Sequence, residues 1–269
     1  MNPLSRWARA TWRGLAVPLR AARDHRHLLT MLLRRDVASR SAETMLGFAW
    51  LFVQPLLMIV AFWFLIDVVL QVRFPGRVAF VDYFLIAILP WLMWVEIVTR
   101  SANVMPEHEA VFQKTRFPLT VLPLVPLLTA GFFYGVVYLI VVAMVAGLAV
   151  IWWVPILWVA LLLWLLPFVY LTAILGAFLR DVRQIIPVVL SAGLFLSPIL
   201  YMPEMMPASL VWTLSFNPVA DWMAVIHASL LGLPLESASI WRLLVWWVLA
   251  LAPAYVLFHR TEGFVREAL

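Results

Sequence analysis

Residues 32–58 read LLRRDVASRSAETMLGFAWLFVQPLLM. The first half is basic and amphipathic: Leu29, Leu33 and Val37 repeat at four-residue spacing beside Arg34, Arg35, Asp36 and Arg40. The second half is a long apolar run that follows without a linker. A helix with this pattern lies along a membrane surface and then passes through the bilayer. The stretch therefore predicts an all-α integral membrane protein.

Composition agrees. The 269 residues are 65% hydrophobic and 12% charged, with a mean hydropathy of +0.99. A soluble domain of this size cannot hide so much apolar surface. Cysteine is absent, which excludes a disulfide framework, a thiolate metal site and a thiol nucleophile. Six spans are expected, at about residues 45–70, 80–98, 121–150, 156–178, 185–200 and 240–258. The organisation that follows has three parts. Residues 1–44 form an N-terminal segment with the interfacial helix. Residues 45–259 form the six-span domain, with a charged loop at 105–118 and an outer segment at 201–236. Residues 260–269 form a short tail. Pro203, Pro207, Pro218 and Pro234 interrupt the outer segment, so short helices that lie at or re-enter the membrane interface are expected there.

Charge placement sets the orientation. Nine arginines precede residue 45, opposed by Asp24, Asp36 and Glu43. Beside a first span this basic block matches the positive-inside rule and attraction to anionic lipid, and argues against nucleic acid as the partner. With the N-terminus in the cytosol, Arg100, Lys114, Arg116, Arg180, Arg183, Arg260 and Arg266 also fall on the cytosolic side. Arg73, Arg77 and Arg242 do not. An even span count returns the C-terminus to the cytosol. No cleavage-site pattern follows the first apolar run, so a signal peptide is not expected.

Motifs for catalysis are missing. No G-x-x-x-x-G-K-[ST] loop cradles a nucleotide, His108-Glu109 does not continue as H-E-x-x-H, and G-x-S-x-G is absent. His25 and His27 flank Arg26, a cationic setting that suits a solvated surface and not a metal. The N-terminal helix reads either as an interfacial anchor or as a surface presented to a partner or a charged lipid-linked substrate. Gln54-Pro55 predicts a kink in the first span. Glu96 and Arg100 are spaced for a helical ion pair. Gly131 and Gly135 form G-x-x-x-G, a sign of close helix packing. The 105–118 loop reads as a solvated loop or as a contact that receives force from a soluble partner.

Taken together, R-D-V-x-x-R-x-x-x-x-x-L-G-F-x-W-x-x-x-Q-P-L-x-M at 35–58, F-Q-K-T-R-F-P at 112–118, L-R-D-V-R-Q-I-I-P at 179–187, L-S-P-I-L-Y at 196–201 and N-P-V-A at 217–220 resemble the type-2 ABC exporter permeases for polysaccharides. Thr115 departs from the second Lys or the Val more usual in that loop. The resemblance implies a six-span half-permease that works as a homodimer with two copies of a separate ATPase. That ATPase would hold ATP and Mg, and this chain no cofactor or metal. The cargo implied is lipid-linked O antigen, capsule or teichoic acid, moved outward across the bacterial cytoplasmic (inner) membrane. In this reading Glu107, His108, Glu109, Phe112, Lys114 and Arg116 couple to the ATPase. Arg34, Arg35, Asp36 and Arg40 form the cytosolic gate. Tyr201, Asn217 and Asp221 belong to the outer segment. Trp50, Phe62, Trp63, Trp91 and Trp94 are candidates to line the channel and stack on sugar faces. No residue is assigned a catalytic role. Alternatives are export of a drug, small lipid or ion, a scaffolding subunit, and an intramembrane lipid-modifying enzyme using Asp67, Glu96, Asp221 or His227.

Overall fold

The computed structural model describes residues 17–42, 50–72, 74–75, 78–108 and 118–268, and every regular element among them is helical. In chain order these are α1 Arg26–Ala42, α2 Trp50–Trp63, α3 Phe80–Glu107, α4 Leu124–Val145, α5 Trp153–Phe178, α6 Arg180–Leu196, α7 Pro218–Leu231 and α8 Ser237–Ala268. Short 3-10 turns occupy Leu119–Val121, Pro203–Met205 and Val211–Phe216. Helices are the natural outcome for such a sequence, because backbone groups in hydrocarbon must be satisfied within their own segment. Phe80–Glu107, Leu119–Val145 and Trp153–Phe178 are long and apolar enough to cross a membrane, whereas the apolar helices Pro55–Val69 and Ser237–Leu251 are shorter.

Helix α3 is the centre of the bundle. Phe84, Ile86, Ala87, Ile88, Leu89, Met93, Ile97 and Ala102 are fully buried, enclosed by α4, α5, α6 and α7. The α3–α5 crossing is close enough that a Cβ built on Gly176 would lie 1.9 Å from the Ala102 carbonyl oxygen. Gly131 and Gly135 of α4 face Leu162 and Trp158 of α5, and the Trp158 indole donates to the Gly131 carbonyl at 2.8 Å. The G-x-x-x-G reading as a packing motif therefore holds.

Two prolines inside these helices have an evident compensation. Proline lacks an N–H, so the carbonyl four residues earlier loses its helical partner. Pro90 frees the Ile86 carbonyl, which accepts from the Tyr138 hydroxyl of α4 at 3.1 Å. Pro167 frees the Leu163 carbonyl, which accepts from the Trp247 indole of α8 at 3.2 Å. Tyr138→Phe should therefore cost about 1–3 kcal/mol, the penalty of a buried unpaired acceptor. Most of that loss should disappear in a Pro90→Ala background, where residue 90 supplies its own N–H. Thermal unfolding of the four variants checks this; an equal loss in both backgrounds would refute it.

Several expectations shift. Of the two readings of α1, the anchor places its apolar face in lipid; Leu29 and Leu32 are buried and α1 packs on α4. The same helix carries Asp36, which pairs with a cation on α3, as described below. In the first span the helix runs through Pro55 to Trp63, and the departure from α geometry comes at Phe64–Val69. There the Leu70 N–H reaches the Leu65 carbonyl at 2.9 Å in a wider turn. Between the spans expected at 156–178 and 185–200, the break is a single extended residue, Leu179, followed directly by α6. The expected tail is helical through Ala268, as a continuation of α8.

The outer segment has short helices where its prolines predict them. Pro218 sits in the first turn of α7, and the Asn217 side chain accepts from the Val219 N–H at 3.0 Å, a proline start with an Asn cap. Gly232 closes the helix at φ 67°, the left-handed conformation glycine adopts without strain.

Candidate functional site

Two polar clusters mark opposite ends of α3. From Tyr83 to Arg100 the helix rises about 25 Å, close to the hydrocarbon thickness of a bilayer.

At the end joined to the N-terminal segment, the Arg100 guanidinium reaches three elements. It is paired with Asp36 of α1, lies 3.6 Å from Glu96 on its own helix, and donates to the Thr129 hydroxyl of α4 at 3.2 Å. The Glu96–Arg100 pair expected from spacing is present. The larger fact, that Arg100 holds α1 against the bundle, was missed. A signal existed: Asp36 is the one acid in α1 and Arg100 the one basic residue in α3. Arg34 and Arg35 are exposed. Arg40 lies in the same helix, but its side chain lies outside the described residues. Two turns beyond Arg100, α3 ends at Glu107 and His108, where the His108 Nδ1 lies 2.9 Å from the Val104 carbonyl. The remaining coupling candidates, Glu109, Phe112, Lys114 and Arg116, lie outside the described residues.

At the other end, the Asp221 carboxylate is 2% exposed and grips Arg242 of α8. It accepts from Nε at 2.9 and 3.1 Å and from Nη2 at 2.6 Å. Nη2 also donates to Ser239 at 3.0 Å. A carboxylate this buried needs such a bidentate partner. Beside it, His227 stacks on Tyr83 with ring centroids 3.8 Å apart, and its Nε2 lies 3.0 Å from the Tyr83 carbonyl. A carbonyl only accepts, so Nε2 carries the proton. The Tyr83 hydroxyl donates to the Pro198 carbonyl at 2.9 Å. Asn217 donates to the Leu196 carbonyl and to Ser197 at 3.1 and 2.9 Å. Tyr201 is half-buried nearby in sequence. These bonds fasten the start of α3, the end of α6, α7 and the start of α8 into one assembly. Sequence reasoning named Asn217 and Asp221 but missed Arg242, although Arg242 stood out as a basic residue on the wrong side of the charge bias.

The aromatic candidates separate. Trp91 and Trp94 are buried within the protomer. Trp91 covers Gly193 of α6, where a Cβ would meet its Cη2 at 2.9 Å, and Trp94 packs edge-on against Trp164 at 5.2 Å. Phe62 is half-buried against Phe84, 5.6 Å away, and Trp63 is exposed. Trp50 is helical, with its side chain outside the described residues. The four residues considered for lipid chemistry do not converge: Glu96 lies at the Arg100 end of α3, Asp221 and His227 at the other, and Asp67 in the wide turn of Phe64–Val69. Among the described residues no group of three acidic or histidine side chains is placed to hold a metal.

A family model described as ABC-2 type transporter matches residues 27–231. Two proteins of Klebsiella pneumoniae, each named O-antigen export system permease protein RfbA, are 25% and 24% identical to the chain over 200 residues, covering 72% of it and 76% of theirs. A protein of the same name from Myxococcus xanthus is 27% identical over 183 residues, 66% of this chain and 69% of its own.

Proposed function

Because the chain belongs to the ABC-2 type transporter family, we propose that it is the membrane permease subunit of an ABC exporter for lipid-linked polysaccharide of the O-antigen, capsule or teichoic-acid kind. The observation that carries this reading is the match to O-antigen export permeases along about three quarters of both chains. The chain is a transporter subunit and not an enzyme. ATP and Mg belong to a separate ATPase, present in two copies, and the sequence accordingly has no phosphate-binding loop.

The working unit is a homodimer in the bacterial cytoplasmic membrane, with six spans per chain and both termini in the cytosol. The basic N-terminal block, at the same end of the bundle as Arg100, supports this orientation. Support for the dimer comes from α2 and α6, which turn Leu56, Leu57, Val60, Val188, Val189 and Phe195 away from their own chain. Residues 201–236 re-enter the membrane from the outer face and cap the path. The loop at 105–118 docks on the ATPase. When ATP closes the two ATPase copies, movement of this loop reaches Arg100 within two helical turns, and through Arg100 the gate helix α1. The shift from closed to open is limited by the difference in ATPase affinity for the two states.

Neutralising Arg34, Arg35 and Arg40 together should lower surface glycan by about ten-fold, the size of an ordinary coupling effect, while membrane insertion is unchanged. Complementation of a deletion strain, scored for surface glycan and membrane-bound protein, reads both. Loss of insertion would return α1 to the role of a passive anchor. Failure of the wild-type chain and its ATPase to restore surface glycan would defeat the export reading itself.

A further inference from the structure

A cleft of about 330 Å³ opens at the outer end of the bundle, between α7, the first turns of α8 and the 198–215 segment. A smaller hollow reaching Tyr83 and His227 adjoins it, sharing Pro198, Pro203, Glu204 and Ala224. The volume falls at the lower end of the range for small-molecule sites. Its polar lining is built and not incidental. Arg242 is held by the buried Asp221 through Nε and Nη2, which leaves Nη1 with no hydrogen bond among the described residues. Glu236 stands 4.0 Å from that guanidinium, with its side chain 80% exposed. Glu204 also lines the cleft.

We infer that this cleft is a saccharide site, taking one uncharged or amino-bearing sugar unit at the outer face. The chemistry of the lining selects that class. A guanidinium edge beside the exposed Glu236 and Glu204 carboxylates offers donors and acceptors side by side, which suits the vicinal hydroxyls of a sugar ring. Three carboxylates against one guanidinium leave the cleft net negative, so phosphates and uronates are repelled. Val211, Leu214 and the cleft prolines provide apolar surface for the C–H face of the ring. The proposal rests on the export reading for the source of the sugar, the emerging glycan, but the binding claim can be tested without it.

The test uses the full-length permease in nanodiscs, free of glycosidic detergent, with saturation-transfer NMR. The probes are glucose, glucosamine, glucuronate and glycerophosphoethanolamine. Signal is expected from glucose and glucosamine. Ser215→Trp, at an exposed position on the rim, should plug the cleft and reduce that signal by about ten-fold, equivalent to losing a charge-assisted hydrogen bond. The double change Asp221→Asn with Arg242→Gln removes the charges without leaving either partner alone, and should weaken glucose binding to a similar degree. The inference is overturned by absence of any saccharide signal, by equal signals in Ser215→Trp and wild type, or by stronger signals from glucuronate or glycerophosphoethanolamine. The two readings fail separately. Restored surface glycan without cleft-dependent binding removes the site alone, and cleft-dependent binding without restored glycan removes the export reading alone.

Discussion

Arg100→Ala is expected to cost about 2 kcal/mol of stability and to lower export by about ten-fold. The stability figure lies below the 3–5 kcal/mol typical of breaking a fully buried pair, because the Arg100 and Asp36 side chains keep 31% and 15% of their exposure. The loss comes less from the missing attraction than from what remains: Asp36 and Glu96 lose their shared cation, and Thr129 loses its donor. Removing both charges is therefore gentler than removing one. Asp36→Asn with Arg100→Gln should recover at least half of the stability, since neither side chain then needs a counter-ion. Export should stay impaired, because α1 is no longer tied to the helix that leads to the coupling loop. Thermal unfolding and surface glycan, measured on the single and double variants, separate the two effects. A double variant as unstable as Arg100→Ala, or one that exports normally, would show that the contact is not a coupling element.

Gly176→Leu should prevent assembly of the bundle, and even Gly176→Ala should cost about 3 kcal/mol, the upper end for overpacking. The obstacle is backbone: the added carbon would fall 1.9 Å from the Ala102 carbonyl oxygen, so α3 and α5 must separate along their length. Gly131→Ala is the control. Its new carbon would lie 2.9 Å from the tip of Leu162, a flexible side chain that can turn aside, and a cost within about 1 kcal/mol is expected. Size-exclusion profiles of tagged protein and residual membrane-bound protein report the difference. Equal tolerance at the two positions would mean that the α3–α5 crossing is looser than described.

Much of the helical architecture was legible in the sequence because lipid imposes strong rules. Apolar run length and the proline that starts α7 each rest on a local cause, and each places an element. The family blocks at 35–58, 112–118, 179–187, 196–201 and 217–220 added function. What stayed hidden was long-range. Asp36 and Arg100 are 64 residues apart, and nothing in either neighbourhood states that they meet. The same holds for Asp221 and Arg242. The burial of Trp91 and Trp94 also lay beyond pattern reading, since an aromatic residue in a span looks alike whether it faces lipid, a channel or another helix. The face of α1 stayed open between two readings for a related reason: spacing identifies an apolar stripe but not what covers it.

Pro90 leaves a gap in the main-chain ladder of α3. It stands between Tyr83, fastened to α7, and Arg100, fastened to α1, and no main-chain hydrogen bond spans it from Ile86. The gap in the ladder is closed from outside the helix, by the Tyr138 hydroxyl of α4 donating to Ile86. The continuity of α3 between its two polar clusters is thus lent by a neighbouring helix, and a change at Tyr138 on α4 is felt at the middle of a helix whose ends are tied to α7 and α1.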